Sequence, residues 1–94
     1  MVRISNPESY ELIGYELGGK KSKYIAILKN KTTGEKKRIP FGLKGFQQYF
    51  DKLGHYSAWD HNDEKRKENW LRRHKDNIKH KFSSAFFAEK ILWS

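Results

Sequence analysis

Apolar residues in the first half of the chain alternate with polar ones at the spacing of β-strands. Between residues 10 and 17 they occupy every second position, at Ile13, Tyr15 and Leu17, and a glycine pair follows. Residues 23–29 are short, β-branched and aromatic between two lysines, which is typical of a strand with both faces partly covered. The pattern predicts two strands joined by a turn at the glycines.

A third strand is predicted after a turn over residues 30–34. Beyond this turn one alternating set is Lys37, Ile39 and Phe41, and the other is Lys36, Arg38 and Pro40. Proline cannot donate to the ladder of a sheet, so this strand must either end at Pro40 or lie at a sheet edge. The first half therefore predicts a three-stranded antiparallel β-meander.

The second half of the chain has apolar residues at helical spacing. Four of them predict a short amphipathic helix that lies against the sheet and ends at Gly54: Phe46, Tyr49, Phe50 and Leu53. Asp60 is suited to cap a longer helix, because acids follow it in the first turn and bases lie toward the far end. Ser83 or Ser84 can cap a final helix with an apolar stripe that ends at Trp93.

Length and composition indicate one small domain. A chain of 94 residues buries only about two-thirds of its unfolded surface. Because 36% of the residues are hydrophobic and 15% are aromatic, the core must be built largely from rings. We therefore predict a single α+β domain over residues 1–94, in which a three-stranded antiparallel β-meander is followed by two or three helices packed on it.

The residues that are missing also bear on the class of protein. The chain has no cysteine, which excludes disulfides and thiolate metal sites and suits a reducing, intracellular compartment. No stretch approaches the roughly 18 apolar residues of a membrane span, and the N-terminus lacks the apolar core of a signal peptide. We expect a protein that works away from membranes.

Positive charge is concentrated in one fifth of the chain. The net charge is +9 at neutral pH. Between residues 20 and 38, eight bases stand against one acid, a net charge of +7, and these bases are Lys20, Lys21, Lys23, Lys29, Lys31, Lys36, Lys37 and Arg38. Clustered cations on an ordered hairpin are what the neutralisation of phosphates requires. The alternative is that lysines beside strands keep the sheet edges solvated and unpaired.

The run from Asp60 to His74 is the other distinctive segment, with two histidines, four acids, five bases and one tryptophan. On a helix, four of its residues share one face: Asp63, Arg66, Trp70 and Arg73. That face either stabilises the fold, through a buried Trp70 and a helix ion pair of Asp63 with Arg66 or Lys67, or it binds a partner. In either case Arg66 can stack its guanidinium on the indole one turn away.

The same run offers no metal-binding or catalytic pattern. His61 and His74 are thirteen positions apart, whereas two ligands on one helical face are three or four apart. The order His61, Asn69, His74 is too compact for a His-Asn-His nuclease, which needs a strand, a loop and a helix. No nucleophile elbow or phosphate-binding glycine loop is present. We predict a protein that is not an enzyme and uses no metal or cofactor.

Nucleic acid is the partner that the charge favours. The predicted long helix adds further bases, and Trp59 and Trp70 either stack on bases, if they are exposed, or belong to the core. No nucleic-acid-binding signature occurs in the chain, so the expected contacts are with phosphates and carry no sequence preference.

Several short blocks carry a resemblance to a known family. They are residues 41–46 followed by Tyr49, residues 60–66, residues 72–74 and residues 91–93. Their order and spacing resemble a family of small, basic, uncharacterised proteins encoded by large DNA viruses of algae and protists and by some bacteriophages. The resemblance covers residues 22–94. This chain departs from the family pattern at residues 31–34, where relatives have a tighter Asn-Gly or Asp-Gly turn.

The resemblance implies a viral accessory or virion protein, located in the cytoplasm or nucleus of the host or in the virus particle. Two hypotheses follow. In the first, the lysine-rich hairpin binds the phosphate backbone of a nucleic acid, as in genome packaging. In the second, the protein is a minor structural component, associated with the capsid, whose basic face contacts acidic patches of a larger coat protein. Neither hypothesis requires a small-molecule substrate.

Overall fold

The structure is a computed structural model that describes residue 4 and residues 6–94. Residues 1–3 and 5, which the single-domain prediction includes, lie outside the described residues. The strands are β1 (Tyr10–Leu17), β2 (Ser22–Asn30) and β3 (Lys36–Leu43), and the helices are α1 (Glu64–Ile78) and α2 (Ser84–Leu92). Short 3₁₀ turns precede β1 and α1, at Pro7–Ser9 and Ser57–Trp59. The predicted α+β class, a meander followed by helices, is confirmed.

The three strands form one antiparallel sheet in the order β1-β2-β3. Because β2 is central, β3 is an edge strand, and Pro40 sits in it opposite Ile25 without needing an outer partner. The strand continues past the proline to Leu43. Of the two positions that the sequence allowed for Pro40, the edge is therefore the one observed.

Helix α2 closes the core against one face of the sheet. Its Phe87 is fully buried and contacts the rings of Phe41 and Tyr15 at centroid distances of 5.7 and 6.1 Å. The helix begins as predicted, because the side chain of Ser83 accepts a hydrogen bond from the backbone N–H of Phe86. The core is built mainly from rings, as the composition indicated.

A β-bulge changes the pattern that was predicted for β1. The pairing with β2 shifts between Leu12 and Gly14, so Ile13 has no partner in the register and is 46% exposed. Beyond the bulge, Tyr15 lies opposite the buried Ala26 and faces the core. The strand was predicted correctly, and of its three alternating apolar residues only Tyr15 packs on the core, because Ile13 and Leu17 are exposed.

The short helix predicted over residues 46–53 is wrong. This segment is a loop whose backbone is bonded to other parts of the chain: the N–H groups of Phe50 and Lys52 donate to the carbonyls of Leu92 and Ile91, at 3.0 Å each. On its other side Gln48 pairs with Asp60 as an isolated bridge. These long-range bonds occupy the donors that a helix would use.

Helix α1 begins three residues later than predicted. Its N-cap is Asp63, whose side chain accepts from the backbone N–H groups of Lys65 and Arg66 at 3.0 and 3.3 Å. Asp60, the predicted cap, instead accepts from the side chain of Gln48 and from the N–H of Asp51. Asp60 therefore holds the preceding loop, and the run from Asp60 to His74 is part loop and part helix.

Candidate functional site

The predicted basic cluster does not form one surface. Strand β2 spans roughly 27 Å from Ser22 to Asn30 at about 3.4 Å per residue. The turn before this strand and the turn after it therefore lie at opposite ends of the sheet. Lys20 and Lys21 belong to the first end, and five of the other cations belong to the second: Lys29, Lys31, Lys36, Lys37 and Arg38.

Lys23, the eighth member of the predicted cluster, is a buried structural residue. Only 2% of its surface is exposed. Its Nζ donates to the carbonyl of Phe46 at 2.6 Å and to Oε1 of Gln48 at 2.5 Å. Burial lowers the pKa of this ammonium, while the more distant carboxylates of Asp51 and Asp60 act in the opposite direction. The prediction that Lys23 contacts nucleic acid is therefore wrong.

The five cations at the far end of the sheet are named here the hairpin-tip patch: Lys29, Lys31, Lys36, Lys37 and Arg38. Four of them are exposed and Lys37 is partly covered, with its Nζ 5.6 Å from the centroid of the Tyr10 ring. Arg38 forms an ion pair with Glu16 across the sheet. Lys29 and Lys36 are direct cross-strand partners in the β2–β3 pairing.

At the opposite end, Lys20 and Lys21 acquire a neighbour that the sequence did not suggest. The backbone N–H of Lys44 donates to the carbonyl of Lys21 at 2.9 Å, which brings a third exposed lysine to this turn. Lys44 was missed because it lies after β3, more than twenty positions from Lys21. The two ends of the sheet therefore both carry positive charge.

The predicted face of α1 lines a cleft of about 410 Å³ between the end of β3, the loop after it, and both helices. Arg66, Trp70 and Arg73 all contribute to its wall, as the spacing on the helix predicted. Asp63 does not, because it caps the helix. We name this the α1 cleft, and its lining residues are Lys23, Gly42, Leu43, Phe46, Gln47, Arg66, Trp70, Arg73, His74, Ser84, Ala85, Ala88, Leu92 and Trp93.

Gly42 allows Leu92 of α2 to pack closely against the end of β3. Its φ is +73°, and a Cβ atom at this position would lie 2.8 Å from Cδ1 of Leu92. Any other residue would strain the backbone and force the buried side chain of Leu92 to move. The close approach brings the end of β3 and the end of α2 together, and both contribute to the wall of the α1 cleft.

Trp70 is held by other rings rather than by arginine. Its indole stacks with Trp93 at a centroid distance of 5.0 Å and with His74 at 4.3 Å. Arg66, which the sequence suggested could stack on this indole, instead donates from Nη1 to Oε1 of Gln47 at 2.9 Å. Arg66 is exposed and Trp70 is half-buried, so the face of α1 is only partly committed to the fold.

His61 lies between the loop and α1 in a setting that disfavours its charged form. Its Nδ1 accepts from the backbone N–H of Asp63 at 2.9 Å, and its buried Nε2 has no hydrogen-bond partner among the described residues. Burial, and then the nearby Arg66 guanidinium, lower the pKa of His61, against weaker opposing effects of Asp63 and Asp60. This histidine is a structural element beside the α1 cleft.

Beneath the cleft is a buried polar network that sequence reasoning missed. Asp51 accepts from the hydroxyl of Tyr24 at 2.5 Å and from the N–H of Tyr56 at 2.8 Å. Gln48 links Lys23 to Asp60, to which its Nε2 donates at 2.6 Å. The sequence did contain one indication of this network, because Gln48 and Asp51 interrupt an otherwise aromatic segment. On the predicted helix, however, these two residues would lie on the polar, exposed face, so their burial was not predicted.

Within residue 4 and residues 6–94, no three His, Asp or Glu side chains converge as the ligands of a metal ion would. Over the same residues, no helix has the length and apolar character needed to cross a membrane. Trp59 is 40% exposed and lies outside the α1 cleft.

No protein-family model, curated protein sequence or solved structure matches this chain. The hairpin-tip patch and the α1 cleft are therefore the two candidate binding surfaces.

Proposed function

We propose that this protein is a non-enzymatic nucleic-acid-binding protein that contacts the phosphate backbone through the hairpin-tip patch. The residues from Lys29 to Arg38 include five bases and one acid, a net charge of +4 in ten positions. They form an antiparallel hairpin with a fixed register, and Lys29, Lys36 and Arg38 share one face of it. Such a surface neutralises phosphates and releases counterions on binding.

The observation that carries the proposal is the pairing of Lys29 with Lys36. These residues are Cα partners on adjacent strands, and like charges in that position repel one another. Neither lysine forms an ion pair within the described part of the chain. A phosphate placed between the two ammonium groups would relieve the repulsion, so the site favours a polyanion.

The geometry favours backbone contacts over base readout. The cations of the hairpin-tip patch lie on strands and on a five-residue turn rather than on a helix shaped to enter a groove. Phosphate contacts position a protein but carry no sequence information. The resemblance to virus-encoded proteins supports the packaging of a viral genome as the setting for such binding.

Salt dependence tests this proposal. If the patch neutralises four phosphates, affinity for an oligonucleotide should fall roughly 50- to 150-fold between about 50 and about 200 mM salt, the lower figure applying to single strands. Fluorescence anisotropy of a labelled oligonucleotide of mixed sequence measures this directly. An affinity that is independent of salt, or no binding at low salt, would contradict the proposal.

Charge reversal locates the contact. We expect Lys36→Glu/Lys37→Glu to lower the affinity at least tenfold and to reduce the salt slope by about two contacts. The matched control is Lys20→Glu/Lys21→Glu, which changes the net charge equally at the other end of the sheet. Equal losses in the two variants would mean that total charge, and not the hairpin-tip patch, determines binding.

A second candidate is a minor structural component of a virus particle, and the uncovered face of the sheet favours it. Ile25 and Ile27 alternate with the buried Tyr24, Ala26 and Leu28, so they lie on the face opposite α2, where each is only half-buried. Ile13 is exposed at the bulge of the neighbouring strand. A partner protein could therefore meet the apolar side chains with apolar residues of its own and the cations of the hairpin-tip patch with acidic ones.

Purified particles distinguish this candidate. A structural component should be present at constant copy number, measured by quantitative mass spectrometry across preparations. Its absence from particles would exclude the structural role, whereas binding to nucleic acid in solution would be unaffected by that result.

A further inference from the structure

We propose that the α1 cleft accepts an unpaired base of a single-stranded nucleic acid, with the adjoining phosphates held by Arg66 and Arg73. The inference rests on the proposed function for its class of ligand. It adds a second contact site, far from the hairpin-tip patch, and a preference for single strands.

The charge of the cleft fits an anionic ligand. Among the described residues, none of those that line it is acidic, whereas Arg66, Arg73 and His74 lie along α1. The guanidinium of Arg73 makes no hydrogen bond or ion pair within the described part of the chain, and that of Arg66 bonds only to the neutral side chain of Gln47. Both guanidinium groups are therefore available to phosphate, which arginine recognises through two parallel N–H groups.

The acids of α1 lie off the cleft. Glu64 accepts a hydrogen bond from the hydroxyl of Tyr49, and none of the three acids of α1, which are Glu64, Glu68 and Asp76, is among the lining residues. A helix with mixed charge thus presents two of its three arginines, Arg66 and Arg73, to the α1 cleft and its carboxylates elsewhere. This separation is what distinguishes the cleft from an ordinary solvated helix face.

The floor and walls of the cleft fit the face of a base. Phe46 and Leu43 are 64% and 61% exposed at its mouth, next to the stacked pair Trp70 and Trp93. Aromatic side chains bind bases of any sequence, because every base has a π-face. The volume of about 410 Å³ lies within the range of small-molecule sites, so a single nucleoside fits.

The spacing of the two arginines fits a base flanked by phosphates. Arg66 and Arg73 are seven positions apart, which corresponds to roughly 10.5 Å along the axis of α1. Trp70 and Phe46 lie in the wall between and beside them. Duplex bases are paired and stacked, so only an unpaired base can enter, and the cleft should discriminate against double strands.

The test compares three ligands of equal length, about twelve nucleotides: oligothymidylate, an abasic oligomer, and a duplex. The protein carries Trp59→Phe, so that its fluorescence reports Trp70 and Trp93, which line the cleft. We expect oligothymidylate to quench this fluorescence and to bind roughly 5- to 150-fold more tightly than the abasic oligomer, the range that stacking of one base provides.

Paired variants assign the effect to the cleft. Phe46→Ala should abolish the preference for the base-bearing strand, whereas Phe50→Ala, an exposed phenylalanine outside the lining, should retain it. Arg73→Gln should weaken binding of oligothymidylate severalfold, whereas Arg72→Gln, its exposed neighbour outside the lining, should weaken it less. The removed side chains are exposed, so both cleft variants should fold.

The possible results separate this inference from the proposed function. Equal affinity for oligothymidylate and the abasic oligomer, with loss in Lys36→Glu/Lys37→Glu, would overturn the cleft and leave the hairpin-tip patch standing. A base preference that depends on Phe46, with no effect of the hairpin reversal, would support the cleft and overturn the hairpin-tip patch. If none of the three ligands bound, both the α1 cleft and the hairpin-tip patch would be overturned as binding sites.

Discussion

The ammonium of Lys23 donates to Oε1 of Gln48 at 2.5 Å, and this bond joins β2 to a loop twenty-five positions later. Both hydrogen-bond partners of the ammonium, the Gln48 amide and the Phe46 carbonyl, are neutral. A buried charge is therefore held by dipoles, with the carboxylates of Asp51 and Asp60 acting from a greater distance. The second hydrogen bond of the ammonium, to the carbonyl of Phe46, holds the backbone of that residue at the α1 cleft.

Loss of that ammonium should destabilise the fold. Lys23→Met retains most of the buried stem but leaves two acceptors without a donor, so we expect the free energy of unfolding to fall by about 1–3 kcal/mol. Urea unfolding followed by circular dichroism measures the change. The control, Lys29→Met, alters an exposed lysine of the same strand and should shift stability by no more than about 0.5 kcal/mol. Equal stabilities for the two variants would contradict a structural role for Lys23.

The Tyr24 hydroxyl should make stability decline at alkaline pH. Burial, and then the hydrogen bond to Asp51, raise the pKa of Tyr24 above its ordinary value of 10.0. The folded state therefore keeps this proton where the unfolded chain loses it, and the free energy of unfolding falls as the pH rises above 10.0. Tyr24→Phe should remove this part of the decline in denaturant titrations across that range.

The pKa of Lys23 is lowered from 10.5, so below pH 10.5 the unfolded chain binds this proton more tightly than the folded protein does. This contribution makes the free energy of unfolding rise with pH, which is opposite to the contribution of Tyr24. The comparison of wild type with Tyr24→Phe leaves this contribution in place on both sides. An unchanged pH dependence in Tyr24→Phe would show that the Tyr24–Asp51 bond does not favour the protonated hydroxyl.

His61 should make stability decline on mild acidification. Its pKa is lowered from 6.5, mainly by burial, so below pH 6.5 the unfolded chain binds a proton that the folded protein resists. The free energy of unfolding should then fall as the pH drops from about 7 toward 5. Thermal unfolding at several pH values should show a shallower decline for His61→Gln. His55→Gln, which removes an exposed histidine, is the matched control.

The two aspartates that begin the Asp60–His74 run should respond differently to truncation. Asp63→Ala removes the N-cap of α1 and should cost about 0.5–2 kcal/mol. Asp60→Ala leaves the N–H of Asp51 and one N–H of Gln48 without a partner and should cost about 1–3 kcal/mol.

Hydrogen exchange separates the two aspartates by location. Asp63→Ala should speed exchange in the first turn of α1, and Asp60→Ala should speed it at residues 48–51. If Asp60→Ala loosened α1 alone, Asp60 rather than Asp63 would be acting as the cap.

Local patterns predicted the regular elements well. Alternation located three strands, and a serine followed by an apolar stripe located α2, because in both cases local propensity and burial agree. The prediction of a helix over residues 46–53 failed because the aromatic residues there, although at helical spacing, belong to a loop. There Phe50 and Lys52 bond to the end of α2, and no local pattern reveals a partner forty positions away.

The same distinction explains the site. The spacing of Arg66, Trp70 and Arg73 was enough to place them on one face, since that follows from helix geometry alone. The cleft in front of them was not predictable, because its other walls come from β3, the following loop and α2. Charge counts likewise grouped Lys23 with its neighbours, although only tertiary structure shows that it is buried.

The bonds from Phe50 and Lys52 to the carbonyls of Leu92 and Ile91 bear on the order in which the molecule assembles. The β2–β3 hairpin needs only neighbouring residues, whereas these bonds must close a loop of about forty residues before they contribute. We expect the hairpin to form early and the wall of the α1 cleft to form last. A chain still bound to the ribosome would then expose the hairpin-tip patch before the α1 cleft has formed.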